Sequence, residues 1–195
     1  IDFGPYALPE DAGTPTSMQC DDCVSAPITL PFEFTMFGRT YGQVNVTTNG
    51  LLLFGSTNSG GSYSPYGIPT NGSPSGMIAG FWSDLYPTHH ANRVHYATIG
   101  SMPHRIFLVS WDDLGEYSSG PGNATFQVAL HEDSAAIEYQ IGFAAMEYHA
   151  HTVGVEDDTG SYGVPIDNSR IASRRNGLLP NHPEHPPPAP PTGPT

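Results

Sequence analysis

The chain has 195 residues, of which 19 are acidic and six are basic, and its formal net charge is −13 at pH 7. This charge repels phosphate backbones and anionic lipid, so the composition argues against nucleic-acid binding and against a role on a membrane surface. No stretch approaches the roughly 20 apolar residues that membrane insertion of a helix needs. All six basic residues are arginine, which excludes lysine Schiff-base chemistry and phosphate binding by a P-loop lysine.

Residues 1–27 are predicted to form an irregular N-terminal arm that contains the sequence Cys20-Asp21-Asp22-Cys23. A catalytic CxxC pair needs a cation or a helix N-terminus to lower the thiol pKa, and two aspartates have the opposite effect. A second CxxC pair, which a zinc site would need, does not occur. We therefore expect a local structural disulfide between Cys20 and Cys23 and an oxidising compartment.

From residue 28 onward, short segments rich in Val, Ile, Phe and Thr alternate with turn residues, which is typical of strands. The chain also contains 22 glycines and 20 prolines, which favour tight turns over long helices. The predicted strands are residues 28–34, 43–48, 51–54, 77–82, 93–98, 105–111, 124–131, 135–141 and 152–155. This pattern predicts an all-β fold, an antiparallel β-sandwich of about nine strands over residues 28–179.

The first strands carry the clearest local signals. Asn49-Gly50 predicts a two-residue hairpin turn. Strand alternation before it turns Val44 and Val46 inward and leaves Asn45 on the outer face, where a glycan has room. The apolar run 77–82 is predicted to be a strand buried on both faces.

A long polar stretch, residues 55–76, is rich in Ser, Gly, Asn and Tyr. Its Tyr63 and Tyr66, with Tyr86 further along, form a candidate ligand-binding loop, because such side chains are common in adaptable recognition surfaces. The alternative is that these tyrosines pack back onto the sandwich.

The last 16 residues, 180–195, contain eight prolines. Such a segment is extended and solvated and cannot join a core, so we expect a polyproline II tail or linker. Three Asn-X-Ser/Thr sequons begin at Asn45, Asn71 and Asn123, and they predict N-glycosylation and an extracellular or cell-surface location.

The order of these segments resembles nidogen-like (NIDO-type) extracellular domains over about residues 28–165. The resemblance is carried by Leu30-Pro31-Phe32-Glu33-Phe34, by the run from Val44 to Phe54, by Ile78-Ala79-Gly80-Phe81-Trp82-Ser83-Asp84-Leu85, and by the segments 107–111, 124–130 and 152–156. Gly80 stands where the family usually has proline. The resemblance implies an extracellular β-sandwich with a role in assembly or adhesion, and it supplies no catalytic residue and no ligand.

Two groups of residues are candidate metal ligands. Glu156, Asp157 and Asp158 follow a strand and end in a turn, which suits the oxygen preference of calcium. His149 and His151 are two apart on a predicted strand, so their imidazoles would share one face and suit copper or zinc. Asp84, Asp112, Asp113 and Glu116 are possible additional ligands. The alternative is that these are ordinary acidic turns and surface histidines.

Catalysis has little support in the sequence. No serine is flanked by the glycines of a nucleophile elbow, and the adjacent carboxylates of Asp112 and Asp113 would point to opposite faces of a strand. We therefore expect a non-enzymatic structural or adhesive module, a glycosylated subunit of a surface, matrix or filamentous assembly, whose partners are protein chains or glycans. The alternative is a secreted metal- or glycan-binding protein.

Overall fold

The computed structural model describes residues 13–55, 62–87, 93–117, 123–146, 148–166 and 175–179, the last for its backbone alone. The predicted tail, residues 180–195, lies outside the described residues. The described strands are β1 (Thr14–Pro15), β2 (Ile28–Met36), β3 (Arg39–Val46), β4 (Leu51–Leu53), β5 (Met77–Trp82), β6 (Leu85–Tyr86), β7 (Val94–Ile99), β8 (Ile106–Glu116), β9 (Asn123–His131), β10 (Ile137–Ala145), β11 (Thr152–Glu156), β12 (Gly163–Pro165) and β13 (Arg175–Leu179).

The strands form two antiparallel sheets, which confirms the predicted all-β sandwich. One sheet has seven strands in the order β1-β7-β8-β9-β10-β13, with β6 paired to β8, and the other has six in the order β12-β11-β5-β4-β3-β2. The nine predicted strands correspond to β2–β5 and β7–β11. The four that the pattern did not predict are β1, β6, β12 and β13, which are two to five residues long.

The main core lies between the facing sheets. Strand β2 shows the alternation that this requires, because every second side chain from Ile28 to Met36 is buried. At the centre, the indole of Trp111 stacks on the ring of Phe126 with 4.8 Å between centroids, and Phe81 packs on the same ring at 5.7 Å.

A second, smaller core covers the outer face of the six-stranded sheet. Its members come from β4, β5 and the described part of the long polar stretch, and they are Leu51, Leu53, Ile68, Met77, Ala79 and Trp82. Tyr66 packs edge-on against Trp82 at 4.6 Å, and the indole nitrogen of Trp82 donates to the carbonyl of Ser62 at 2.8 Å. We call the described residues 62–76 of this stretch the covering loop. Because the covering loop lies over the sheet, β5 is buried on both faces, as predicted.

The N-terminal arm is part of the fold. Thr14–Pro15 pairs with β7, and Val24 forms an isolated bridge with Thr47. The arm covers the face of β3 on which Asn45 lies: the Asn45 amide donates to the carbonyl of Ser25 at 2.8 Å. Asn45 is therefore 7 % exposed, and the prediction that it faces solvent is wrong.

The turn between β3 and β4, residues 47–50, lies where the Asn-Gly signal predicts a hairpin. Its loop is longer than the predicted two residues, because the Thr47 amide donates to the carbonyl of Leu51 at 2.9 Å and leaves three residues between them. Gly50 has a φ of +83°, the left-handed conformation that a three-residue hairpin requires at this position.

Gly80 packs so closely against Val128 of β9 that there is no room for a larger residue. A Cβ atom at this position would lie 2.7 Å from Cγ2 of Val128, and the Gly80 amide donates to the carbonyl of Gly50 at 2.9 Å. Gly80→Ala should therefore lower the free energy of unfolding by about 1–3 kcal/mol, the usual range for an overpacked core, as measured by urea denaturation. Gly42→Ala is the matched control, because its Cβ would meet nothing within 4 Å. Equal stability of the two variants would contradict this account of Gly80.

Candidate functional site

The candidate site lies where the disulfide loop of the arm meets the buried turn 47–50. Cys20 and Cys23 are joined in a disulfide, with 5.5 Å between their Cα atoms. The Cys23 amide donates to Oγ1 of Thr48 at 3.0 Å, and the Thr48 amide donates to the Cys23 carbonyl at 3.0 Å. These two bonds fasten the short loop that carries Asp21 and Asp22 to the end of the sandwich.

Asn49 connects this loop to the segment after β5. Its amide nitrogen donates to Oδ1 of Asp22 at 2.6 Å, and its amide oxygen accepts from the Leu85 backbone at 2.7 Å. Asn49 is fully buried, so one side chain positions both Asp22 and the residue before Leu85, which is Asp84.

Three carboxylates converge at this junction. One oxygen each from Asp21, Asp22 and Asp84 lies within 4.8 Å of the others, and within the described residues this is the one group of three or more potential ligands with such spacing. Asp84 is 8 % exposed, and no hydrogen bond from a described residue reaches its carboxylate. Oδ1 of Asp21 is also buried without a hydrogen-bond partner.

The electrostatics of the group follow from burial and like charge. The pKa of Asp84 is raised to about 6: burial is the largest cause, the neighbouring carboxylates add to it, and His149 acts in the opposite direction. The pKa of Asp21 is also raised, first by burial and then by Asp22. The arginines whose side chains the structure describes pair elsewhere: Arg39 with Asp158, Arg93 with Asp113 and Arg105 with Glu132.

The calcium ligands predicted at residues 156–158 have other partners. Oδ1 of Asp157 accepts from the backbone amides of Ser161 and Tyr162, both at 3.0 Å, so this carboxylate closes its own turn. Asp158 forms an ion pair with Arg39. The geometry therefore does not support the predicted calcium site in this turn.

His149 and His151 precede β11 instead of lying in a strand, so the predicted common face is wrong. The backbone of His149 donates to Oε1 of Glu116 at 2.6 Å. The ring of His151 stacks on Phe81 at 4.6 Å, and burial lowers its pKa. Neither histidine belongs to a group of potential metal ligands among the described residues.

Glu156 is fully buried at the end of β11. Its Oε2 accepts from the Thr70 amide at 2.8 Å, and its Oε1 has no hydrogen-bond partner among the described residues. Burial raises the pKa of Glu156 to about 7. Its role is thus to hold the covering loop against the sheet, at an electrostatic cost that depends on pH.

The three predicted ligand-loop tyrosines do not form one surface. Tyr66 packs on Trp82, and its hydroxyl donates to the Pro74 carbonyl, whereas Tyr63 is 55 % exposed. Tyr86 packs edge-on against Tyr117, with 6.2 Å between ring centroids.

Tyr86, which is half-buried, and the exposed Tyr117 belong to a group of tyrosines near the carboxylates. The Tyr117 amide donates to the Asp84 carbonyl at 3.0 Å, and the Tyr148 amide donates to Oε1 of Glu116 at 2.7 Å. Tyr117 is 42 % exposed and Tyr148 is 70 % exposed. We call Tyr86, Tyr117 and Tyr148 the tyrosine surface.

The three sequons differ in access. Asn45 is buried beneath the arm, so the folded domain has no room for the predicted glycan there. Asn71 is exposed in the covering loop. Asn123 is half-buried at the start of β9, where its amide donates to Oδ1 of Asp113 at 2.7 Å.

Sequence reasoning named Asp84 only as a supplementary ligand, and it treated Asp21 and Asp22 only as groups that raise a thiol pKa. The signal for the cluster was the aspartate pair inside a short disulfide loop. Asn49 gave no signal beyond its turn, because its long-range hydrogen bonds depend on tertiary contacts.

A family model described as "NIDO related" matches residues 3–176, which include most of the arm and its disulfide. Searches of curated proteins and of solved structures give no significant match. Nothing in the described part of the chain forms a helix with the length and apolar character that a membrane span requires.

The exposure of the sequons predicts which of them carries a glycan. On chain secreted from a eukaryotic host, peptide mapping by mass spectrometry should find a glycan at Asn71 and none at Asn45, whose amide is enclosed by the arm. Asn45→Gln should also lower the melting temperature, since it breaks the bond to Ser25, while Asn71→Gln should not. High glycan occupancy at Asn45 in folded protein would contradict the docked position of the arm.

The raised pKa of Glu156 predicts a pH-dependent stability. A carboxyl group with a pKa of about 7 when folded, against an ordinary value of 4.5, binds its proton more tightly in the folded state. The contribution of this carboxyl group to the free energy of unfolding is therefore fully present below pH 4.5 and is lost as the pH rises to 7. Between pH 5 and pH 8, Glu156→Gln should have a free energy of unfolding about 1–3 kcal/mol higher than that of wild type, as measured by urea denaturation. Glu33→Gln, at an exposed position of β2, should show no such gain; the same gain there would contradict the assignment.

Proposed function

The chain belongs to the NIDO-related family, and we propose that it is an extracellular structural or adhesive module that acts as a glycosylated subunit of a surface, matrix or filamentous assembly. Domains of this family are of the extracellular type, and the Cys20–Cys23 disulfide suits an oxidising environment. The proposal assigns no catalytic reaction to the domain.

The observation that carries the proposal is the tyrosine surface. Tyr117 and Tyr148 are large aromatic side chains left 42 % and 70 % exposed in a chain whose other rings mostly build the two cores. Tyrosine contributes a large contact area with only two side-chain torsions to immobilise, which makes it common in protein interfaces. The surface is also held in place from within, because Glu116 and the Asp84 carbonyl accept hydrogen bonds from its backbone.

The charge of the chain determines how such an assembly should respond to salt. At a net charge of −13, copies of the chain repel one another over a distance of about 10 Å at 0.1 M salt. Contacts through uncharged tyrosines do not weaken when this repulsion is screened. Association between copies should therefore strengthen as the ionic strength rises.

Sedimentation velocity on the full chain tests the proposal. We expect self-association that increases between 50 mM and 500 mM sodium chloride and that weakens at least fivefold in Tyr148→Ser. Tyr63→Ser is the matched control, because Tyr63 is 55 % exposed in the covering loop, outside the tyrosine surface. It should associate like wild type.

Two results would argue against the proposal. One is a chain that stays monomeric at millimolar concentration in high salt and binds no extracellular protein. The other is glycan-array binding that Tyr148→Ser abolishes while association is unchanged, since that would assign the surface to carbohydrate recognition.

A further inference from the structure

The aspartate cluster has the composition and the incomplete bonding of a cation site. Three carboxylates lie with oxygens within 4.8 Å of one another, and the pairing of the described arginines leaves none of them for this cluster. Like charges at this distance repel each other strongly when water is partly excluded. The arrangement therefore favours the binding of a positive charge.

Two carboxylates of the cluster have oxygens without hydrogen-bond partners. Asp84 is 8 % exposed, and its carboxylate, one oxygen of which lies within 4.8 Å of an oxygen of each of the other two, receives no hydrogen bond from the described residues. Oδ1 of Asp21 is buried and unpaired as well. Carboxylates with so little exposure are normally hydrogen-bonded, paired with a base or bound to a metal, and within the described residues Asp84 accepts no hydrogen bond at its carboxylate and forms no ion pair.

From this geometry we propose that Asp21, Asp22 and Asp84 bind a calcium ion that fastens the disulfide loop of the arm to the end of the sandwich. All three donors are hard oxygens, which calcium prefers. Two oxygens bound to one calcium ion at 2.3–2.6 Å lie at most about 5 Å apart, and the observed spacing satisfies this limit. The site does not depend on the proposed assembly.

The fold prepares this site before any ion binds. The disulfide closes the loop that holds Asp21 and Asp22, and Asn49 orients Asp22 by a 2.6 Å hydrogen bond. Asn49 also accepts from the amide of Leu85, which positions Asp84 on the opposite side of the cluster. A bound cation would thus bridge two parts of the chain that are otherwise joined here mainly through one asparagine and the turn beside it.

Thermal unfolding of the oxidised full chain tests the site. At a dissociation constant of about 10⁻⁴–10⁻³ M, which is usual for extracellular modules, 10 mM calcium chloride should raise the melting temperature by about 3–10 °C over EDTA. Asp84→Asn should abolish that rise. Asp133→Asn is the matched control, since Asp133 is an exposed aspartate paired with His104, and it should keep the full rise.

Asp22→Asn is a second variant that should fold normally. Asp22 has a φ of +53°, which asparagine tolerates well, and the new side-chain oxygen can still accept from Asn49. This variant should bind calcium at least tenfold more weakly by isothermal titration calorimetry. In wild type, calcium should shift the backbone amide NMR signals of Asp21, Asp22 and Leu85 more than those of Asp133.

Three results would contradict the proposed calcium site or the identity of its ion. No rise in melting temperature and no calcium-dependent shift at these amides would overturn the proposal. An equal rise in Asp84→Asn and in wild type would do the same, because it would indicate diffuse binding to an acidic surface. An equal response to magnesium at the same concentration would overturn the assignment of the ion as calcium.

Discussion

The buried turn at residues 47–50 is the constraint on which the rest of the structure depends. Three of its carbonyls accept from other parts of the chain: Thr47 from the Trp111 indole at 2.8 Å, Asn49 from the Ser83 amide at 3.3 Å, and Gly50 from the Gly80 amide at 2.9 Å. A hairpin turn usually lies in solvent, where water satisfies its backbone. Here the protein itself supplies the partners, so the turn joins the two sheets and the arm at one end of the sandwich.

This joint explains why polar and charged groups are buried at that end. Thr47, Thr48 and Asn49 are fully buried because the disulfide loop covers the turn, and the same coverage places Asp21 and Asp22 against Asp84. Covering polar backbone is favourable when its hydrogen bonds are made, whereas bringing carboxylates together is not. The repulsion within the cluster therefore destabilises the folded state unless a bound ligand compensates the negative charge. This is the physical basis for expecting a cation.

The tyrosines on the outside of the two sheets have different environments. The stretch 62–76 uses Tyr66 and Ile68 to cover the six-stranded sheet, so tyrosines that look available for recognition serve the second core. Tyr117 and Tyr148 remain exposed beside Glu116, near the aspartate cluster. Cation binding and partner recognition would then share one end of the domain, with the Asp84 carbonyl and the Tyr117 amide in direct contact.

The sequence by itself determined the fold class, nine of the described strands (β2–β5 and β7–β11) and the disulfide, because each has a local signal: a period of two along a strand, a turn signal beside it, or two cysteines three positions apart. It also determined that β5 is buried on both faces. Tertiary structure alone decided that Asn45 is enclosed, that Tyr66 is a core residue and that Asp84 meets Asp21 and Asp22. The reason is that each of these depends on a segment distant in sequence, the arm or the covering loop, whose docking follows from long-range hydrogen bonds and packing that no local pattern records.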